Sequence, residues 1–330
     1  MKRITAMLLI LVLCLFPACG EKTVEETVFA MDTAVIFKLR GKEAAEAFEK
    51  AKEELLRLET LLDADGEALG TLAETGHLEN AELAALLARA KEIGEKTGGA
   101  LDVTLYPAIR CWGFIDRQYR VPSKEELAAL RACIGAENIT VEGEAISLPQ
   151  GFSVTLGAVA KGYAGDRLAE IIREAGVESG ILSLGGNVRL IGDKNGEPFK
   201  VAVRAPGGGN ALMLALCDTN IVTSGGYERY FEENGETYHH ILDPETLYPA
   251  KNGLTSVTVI SGDGTMADAL STALYVMGEE KAMEYYRKYG AEDGFEVILL
   301  NDKGEAHLSE GLCGAFLSAG EGYTVSYFGA

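Results

Sequence analysis

Asp268 and Thr272 stand four residues apart in Met266-Ala267-Asp268-Ala269-Leu270-Ser271-Thr272. If that segment is helical, the two side chains share a face. A carboxylate and a hydroxyl so placed suit a hard cation such as magnesium. A backbone carbonyl, substrate phosphates and waters would then complete the octahedron. A helix-start aspartate beside a helix-facing threonine would give the same pattern. A second segment, Leu156-Gly157-Ala158-Val159-Ala160-Lys161-Gly162-Tyr163-Ala164-Gly165-Asp166, gathers small residues at a helix start. Free N–H groups there favour phosphate, and Lys161 offers a positive charge. The glycine spacing is not that of a Walker loop, and no Ser or Thr follows the lysine. The other reading is close helix packing with Lys161 at the surface.

Tyr238-His239-His240-Ile241-Leu242-Asp243-Pro244 contains two of the chain's 4 histidines. Neighbours in a strand point to opposite faces, so one can face a site while the other stays outside. Zinc held by both does not fit that divergence, and no cysteine cluster is near. His240, just before the Asp243-Pro244 turn, is the candidate proton acceptor near neutral pH; a satisfied structural histidine is the other reading. Gly98 to Thr104, followed by Trp112-Gly113-Phe114, is compatible with an aromatic ligand wall or with ordinary core. Thr223 to Arg229 reads as a loop carrying hydroxyls and an aromatic ring.

These groups need a scaffold, and the chain begins with an address. Met1-Lys2-Arg3 precedes an apolar run, Ile4 to Phe16, that ends at Pro17-Ala18-Cys19-Gly20. Such a run is shorter than the ~20 residues that span a bilayer. It has the form of a lipoprotein export signal over 1–18, with Cys19 the lipidated first residue of the mature chain. The other readings are an ordinary signal cut at Ala18 or an uncleaved anchor. The expected location is outside the cytoplasm, at a membrane face. About 310 residues remain, enough for a large core. Loss of Lys2 and Arg3 takes the formal charge from −20 to −22. That surface repels nucleic acid and anionic headgroups, so a phosphate-bearing substrate must be held locally by N–H groups, a lysine or a metal. Cys111, Cys133, Cys217 and Cys313 form no Cys-x-x-Cys pair; up to two bridges or four buried thiols are expected.

Residues 19–28 read as a polar tether and 29–330 as one domain. Phe29 to Leu39 reads as a strand with Ala34, Ile36 and Phe37 as its apolar positions. Lys42 to Leu62 reads as a helix with a stripe at Ala45, Phe48, Leu55, Leu58 and Leu62. Asn80 can cap a helix from Ala81 to about Lys96, and Ser123 with Glu126 forms a capping box. A small hairpin is expected across Glu142-Gly143-Glu144. Ala158 to Ala175 and Gly180 to Leu184 read as part of a βαβ-like unit. Short strands follow, then Leu254 to Ser261 as a strand, helices from Met266 and Glu279, and a hairpin from Phe295. The order is mixed α and β without a clean run of βα units, so the expected class is α+β and not Rossmann.

Taken together, Phe29 to Thr33, Leu156 to Asp166, Ser183 to Asn187, His240 to Pro244 and Ala267 to Thr272 resemble, in this order, the ApbE family of flavin transferases. The resemblance implies an ApbE-like fold of largely antiparallel sheets packed by helices. It implies an exported, lipid-anchored enzyme that splits FAD and places FMN on a Thr or Ser hydroxyl of a partner flavoprotein, releasing AMP. Some relatives resemble FAD pyrophosphatases instead, and a flavin-binding lipoprotein without catalysis shares the same motifs. Carried over, Mg²⁺ falls to the Ala158 carbonyl, Asp268 and Thr272, with Ser271 nearby. FAD falls to Met31, Ala100, Leu101, Asp102, Thr155, Lys161 and the His240 to Leu242 strand, with His240 as base. Two positions depart from the family pattern: Thr155 and Gly226 stand where an aspartate is usual. No Ser/Thr-Gly-Ala-Thr acceptor segment is evident, so self-flavinylation is not expected.

Overall fold

The computed structural model describes residues 23–329. The export signal, Cys19 and the first residues of the expected tether lie outside the described residues. The tether expected to reach residue 28 ends earlier, because Thr23–Ala30 is a strand paired along its whole length with Thr33–Arg40. Its polar composition suits an edge position, where one side of the ladder stays solvated. Glu25 sits directly across from Lys38 and binds its ammonium at 2.7 Å.

Thr33–Arg40 alternates as a half-buried strand should, with Val35, Phe37 and Leu39 inward. Of the apolar positions read from the sequence, Phe37 is inward, Ala34 is exposed and Ile36 is half-buried. The nine-stranded sheet runs in the order Thr23–Ala30, Thr33–Arg40, Ser179–Leu184, Asn187–Ile191, Asn220–Gly225, Leu254–Ser261, Phe295–Asn301, Glu305–Ser309, Thr324–Phe328. Every neighbouring pair is antiparallel except the last, which is parallel. The expected βαβ-like unit is therefore not formed: Ser179–Leu184 runs antiparallel to both of its neighbours. The class remains mixed α+β.

Ala44–Leu62, Ala160–Glu174 and Gly264–Met277 pack together and bury their apolar stripes in the larger core on one face of the sheet. In the first of these helices Ala44, Ala47 and Ala51 join Phe48, Leu55, Leu58 and Leu62, whereas Ala45 is exposed. On the other face, Phe199–Arg204, Asn210–Leu216 and Phe316–Ala319 form a three-stranded sheet over Leu190, Ile221, Ile260, Ile298 and Leu300. Trp112 is wholly buried in a third cluster and donates its Nε1–H to the Leu247 carbonyl at 2.9 Å, so it is core, whereas Phe114 of the same segment lines the cavity described below.

Local signals held where they rest on side-chain chemistry. The Asn80 side chain accepts the Leu83 N–H at 2.9 Å, and both halves of the Ser123–Glu126 capping box are made. Glu67–Thr75 adds a helix the sequence pattern did not announce, and His77–Glu79 extends the small hairpin to three strands. All four described cysteines are free; Cys217 and Cys313 are exposed and the other two half-buried, so neither bridges nor four buried thiols are found. Among the described residues no helix is long and apolar enough to cross a membrane.

Candidate functional site

A cavity of about 340 Å³ opens where the Met31-Asp32 turn, the 100–103 loop, the start of the Ala160–Glu174 helix and the middle of the Gly264–Met277 helix meet. Of the residues singled out in the sequence, Met31, Ala100, Leu101, Asp102, Thr155, Ala158, Lys161, His240, Leu242, Asp268 and Thr272 line it. Ser271 does not. It is fully buried, and its hydroxyl donates to the Asp268 carbonyl at 2.9 Å and meets Ser224 Oγ at 2.7 Å. One residue before Thr272, a helical side chain points about 100° away, which takes Ser271 off the cavity face.

Glycine sets the central juxtaposition. A Cβ on Gly162 would lie 2.0 Å from the Gly264 carbonyl oxygen and 2.8 Å from the Asp268 Cβ, so only glycine lets the two helices approach this closely. The approach lets the Gly162 N–H donate to Asp268 Oδ2 at 2.9 Å. One oxygen of this buried carboxylate is thereby anchored at the start of the neighbouring helix, and among the described residues Oδ1 has no hydrogen-bond partner. Helix capping at the start of Gly264–Met277 is done by Asp263, which accepts the Met266 N–H, so Asp268 is not needed for that task. Thr272 Oγ1 rests 3.2 Å from Ser224 Oγ. Ser224 belongs to the Asn220–Gly225 strand; the loop expected from Thr223 is strand through Gly225.

His240 lines the cavity, while His239 turns to the core. There His239 stands edge-on to Tyr275 and donates Nε2–H to the Ala250 carbonyl at 2.9 Å. His240 Nδ1 lies 3.1 Å from the Arg229 carbonyl oxygen. A carbonyl only accepts, so Nδ1 carries the proton and Nε2 keeps its lone pair. Burial, then the neighbouring Arg229 cation, push this imidazole down to about 3, leaving it neutral at pH 7.

Asp102 is committed to its own loop. Oδ1 accepts from Thr104 N–H at 2.7 Å and Thr104 Oγ at 2.6 Å, and Oδ2 from Ala136 N–H at 3.3 Å. Thr155 Oγ1 accepts the Gly157 N–H at 3.3 Å. Met31 and Asp32 both adopt left-handed φ, of 54° and 59°, as a two-residue hairpin turn requires. Glu59 fixes that turn by accepting the Met31 N–H at 2.9 Å. At Gly226, a Cβ would lie 2.6 Å from the Tyr275 hydroxyl and 2.8 Å from a His239 ring carbon, so these rings fill the space of a side chain.

The sequence reading gave no role to several lining groups. Glu228 carries a carboxyl that burial raises, opposed by the charges of Lys161 and Arg204. Asn187 is 4% exposed and its Nδ2 has no hydrogen-bond partner. The Gly185-Gly186 turn before Asn187 was the available signal. Among the described residues no three His, Cys, Asp or Glu side chains converge as a metal cluster. A cation beside Asp268 would rest on one carboxylate with carbonyl, hydroxyl and ligand oxygens.

Comparison with known proteins gives one consistent result. The description "ApbE family" matches residues 31–299. The chain is 33% identical over 276 residues to an Escherichia coli K12 protein named FAD:protein FMN transferase, covering 76% of this chain and 77% of that one. A Treponema pallidum protein of the same name is 31% identical over 324 residues, covering 88% and 90%. Among solved structures, the Thermotoga maritima ApbE protein superposes with a TM-score of 0.82 at 31% identity, covering 88% of this chain and 98% of that one. The Vibrio cholerae flavin transferase ApbE gives 0.74 at 26% identity, covering 92% and 99%.

Proposed function

We propose, for a chain that belongs to the ApbE family and is an FAD:protein FMN transferase, that the acceptor is a Thr or Ser hydroxyl of a partner flavoprotein and the leaving group is AMP. The observation that carries this reading is a single cavity presenting Lys161, Asp268 and neutral His240 together. In the proposed reaction, the acceptor oxygen attacks the phosphorus on the FMN side of the diphosphate. A new P–O bond forms, the bond to the AMP phosphate breaks, and the hydroxyl proton passes to His240 Nε2. The fixed tautomer leaves that nitrogen free to receive it.

Among the described residues Lys161 has no ion-pair partner, and it lines the cavity where diphosphate oxygens would lie. Lys161 and Arg229 also depress the basicity of His240. A bound diphosphate offsets both charges and makes the imidazole a better base when substrate is present. The oxygens of Ala158, Asp268 and Thr272 fit a hard divalent cation, since Asp268 keeps one oxygen unbound. Magnesium there would supply positive charge to the diphosphate and to the leaving phosphate. The chain's own part is to hold Asp268 against Gly162, keep Thr272 beside Ser224, and wall the flavin with Leu101, Leu242 and the Met31 turn. We further propose that Cys19 carries the lipid that anchors the enzyme outside the cytoplasm.

The test is product analysis after incubation with FAD and magnesium, with and without an acceptor protein. FMN-modified acceptor with free AMP supports transfer. FMN and AMP formed equally fast without acceptor would replace it by hydrolysis, and unchanged FAD in both would leave only binding.

A further inference from the structure

A buried polar group without a partner is costly, by about the desolvation penalty of the group, and native cores rarely keep one. Asn187 keeps one on the wall of the cavity: the side chain is 4% exposed, lines the cavity, and its Nδ2 meets no acceptor. A leucine or alanine would suit this buried strand position, which shares Asn187–Ile191 with half-buried Val188 and buried Arg189, Leu190 and Ile191. Nothing in the fold calls for the amide.

The sheet register says what it serves. Asn187 pairs with Val222. Two residues along that strand, on the same face, is Ser224, whose hydroxyl touches Thr272. The unpaired donor therefore shares its sheet face with Ser224, the residue that touches Thr272 in the same cavity. Its neighbour across the Gly185-Gly186 turn is Glu228, whose Oε1 lies 3.2 Å from where a Gly186 Cβ would stand. Glu228 is an acceptor, yet no hydrogen bond joins it to Asn187.

We propose that Asn187 is a binding residue, donating its amide N–H to a phosphoryl oxygen of the diphosphate. This rests on the functional reading above. The amide is a neutral donor among charged groups, so it can bind an anionic oxygen without competing for the cation. It costs the empty enzyme stability and returns it on binding, which gives the inference a signature of opposite signs.

The experiment uses the full chain and two variants, Asn187→Leu and Asn187→Ala, with two readouts. Thermal melting without ligand should show N187L as stable as wild type or more so, because an unpaired polar group is replaced by an apolar one. Binding is then measured by flavin fluorescence for riboflavin, FMN and FAD, without magnesium. Both variants should weaken FMN and FAD about tenfold, the size of one lost hydrogen bond to a charged oxygen, and leave riboflavin unchanged. Equal losses for riboflavin would put the amide on the flavin ring and overturn the phosphoryl assignment. Unchanged affinity for all three, or a clear drop in melting temperature for both variants, would make Asn187 structural. If wild type binds none of the three, the flavin reading itself fails, and ADP in place of FMN, read by calorimetry, still tests the amide against a diphosphate.

Discussion

Asp268 has two tasks that substitution can separate. One oxygen accepts the Gly162 N–H and ties two helices together; the other is proposed to meet the cation. Asp268→Ala removes both. It strands a buried N–H that had a charged acceptor, a loss of about 1.5–3 kcal/mol. For a chain of this size each kcal/mol moves the melting temperature by about 2–4 °C, so a fall of roughly 3–12 °C is expected. Asp268→Asn keeps a carbonyl oxygen for Gly162 but removes the charge, and should lose less than half of that stability. Both variants should nevertheless lose about 10²–10³-fold in turnover at fixed magnesium, the scale of removing one preorganised electrostatic group. The assay is melting of the ligand-free protein beside FAD turnover across a magnesium titration. A D268N enzyme with wild-type rate and unchanged magnesium dependence would refute the metal role, whatever its melting temperature.

His240 should set no acid limb near pH 6.5 in kcat/KM for FAD, because the free enzyme's imidazole is already neutral down to about 3; a limb at 6.5 that vanishes in H240A would contradict this. The same depression acts on stability. The unfolded chain binds the proton at about 6.5 and the folded one does not, so wild type should lose stability as pH falls from about 6.5 towards 3, and H240A should lose less, as read by urea unfolding at several pH values. Gly226→Ala should cost about 1–3 kcal/mol in urea unfolding, since its Cβ meets the Tyr275 hydroxyl and the His239 ring; a neutral effect would mean these rings yield freely. Cys19→Ser should move the protein from the membrane to the soluble extracellular or periplasmic fraction, and unchanged membrane retention would remove lipidation at Cys19.

Features that depend on neighbours in sequence were legible before any fold was known. The Asn80 cap, the Ser123–Glu126 box and the strand Leu254–Ser261 depend on local chemistry or on a long apolar run. The helix bearing Asp268 and Thr272 was legible for the same reason, and so was the opposed facing of His239 and His240. What failed depends on distant partners. Thr23–Ala30 is a strand only because Thr33–Arg40 offers it a ladder, and its own residues are polar. The strand expected over Asn220 to Thr223 forms but runs on through Gly225, because it is held between Asn187–Ile191 and Leu254–Ser261, which no local pattern in Ser224-Gly225 discloses. Only the family resemblance places Ser271 near the cation; in the fold its side chain is buried against Ser224 and the Asp268 carbonyl. The role of Gly162 could be seen only as room for a helix, not as the gap through which Asp268 reaches a backbone N–H.

The central claim is transfer of FMN to a hydroxyl of another protein, and the intact mass of that protein tests it most directly. An acceptor subunit is incubated with the full chain, FAD and magnesium, beside a counterpart whose acceptor Thr or Ser is replaced by Ala. The account predicts a single FMN-sized mass increase on the first and none on the second, with one AMP released per modified chain. An unmodified acceptor while FAD is consumed, or equal modification of the alanine counterpart, would contradict it.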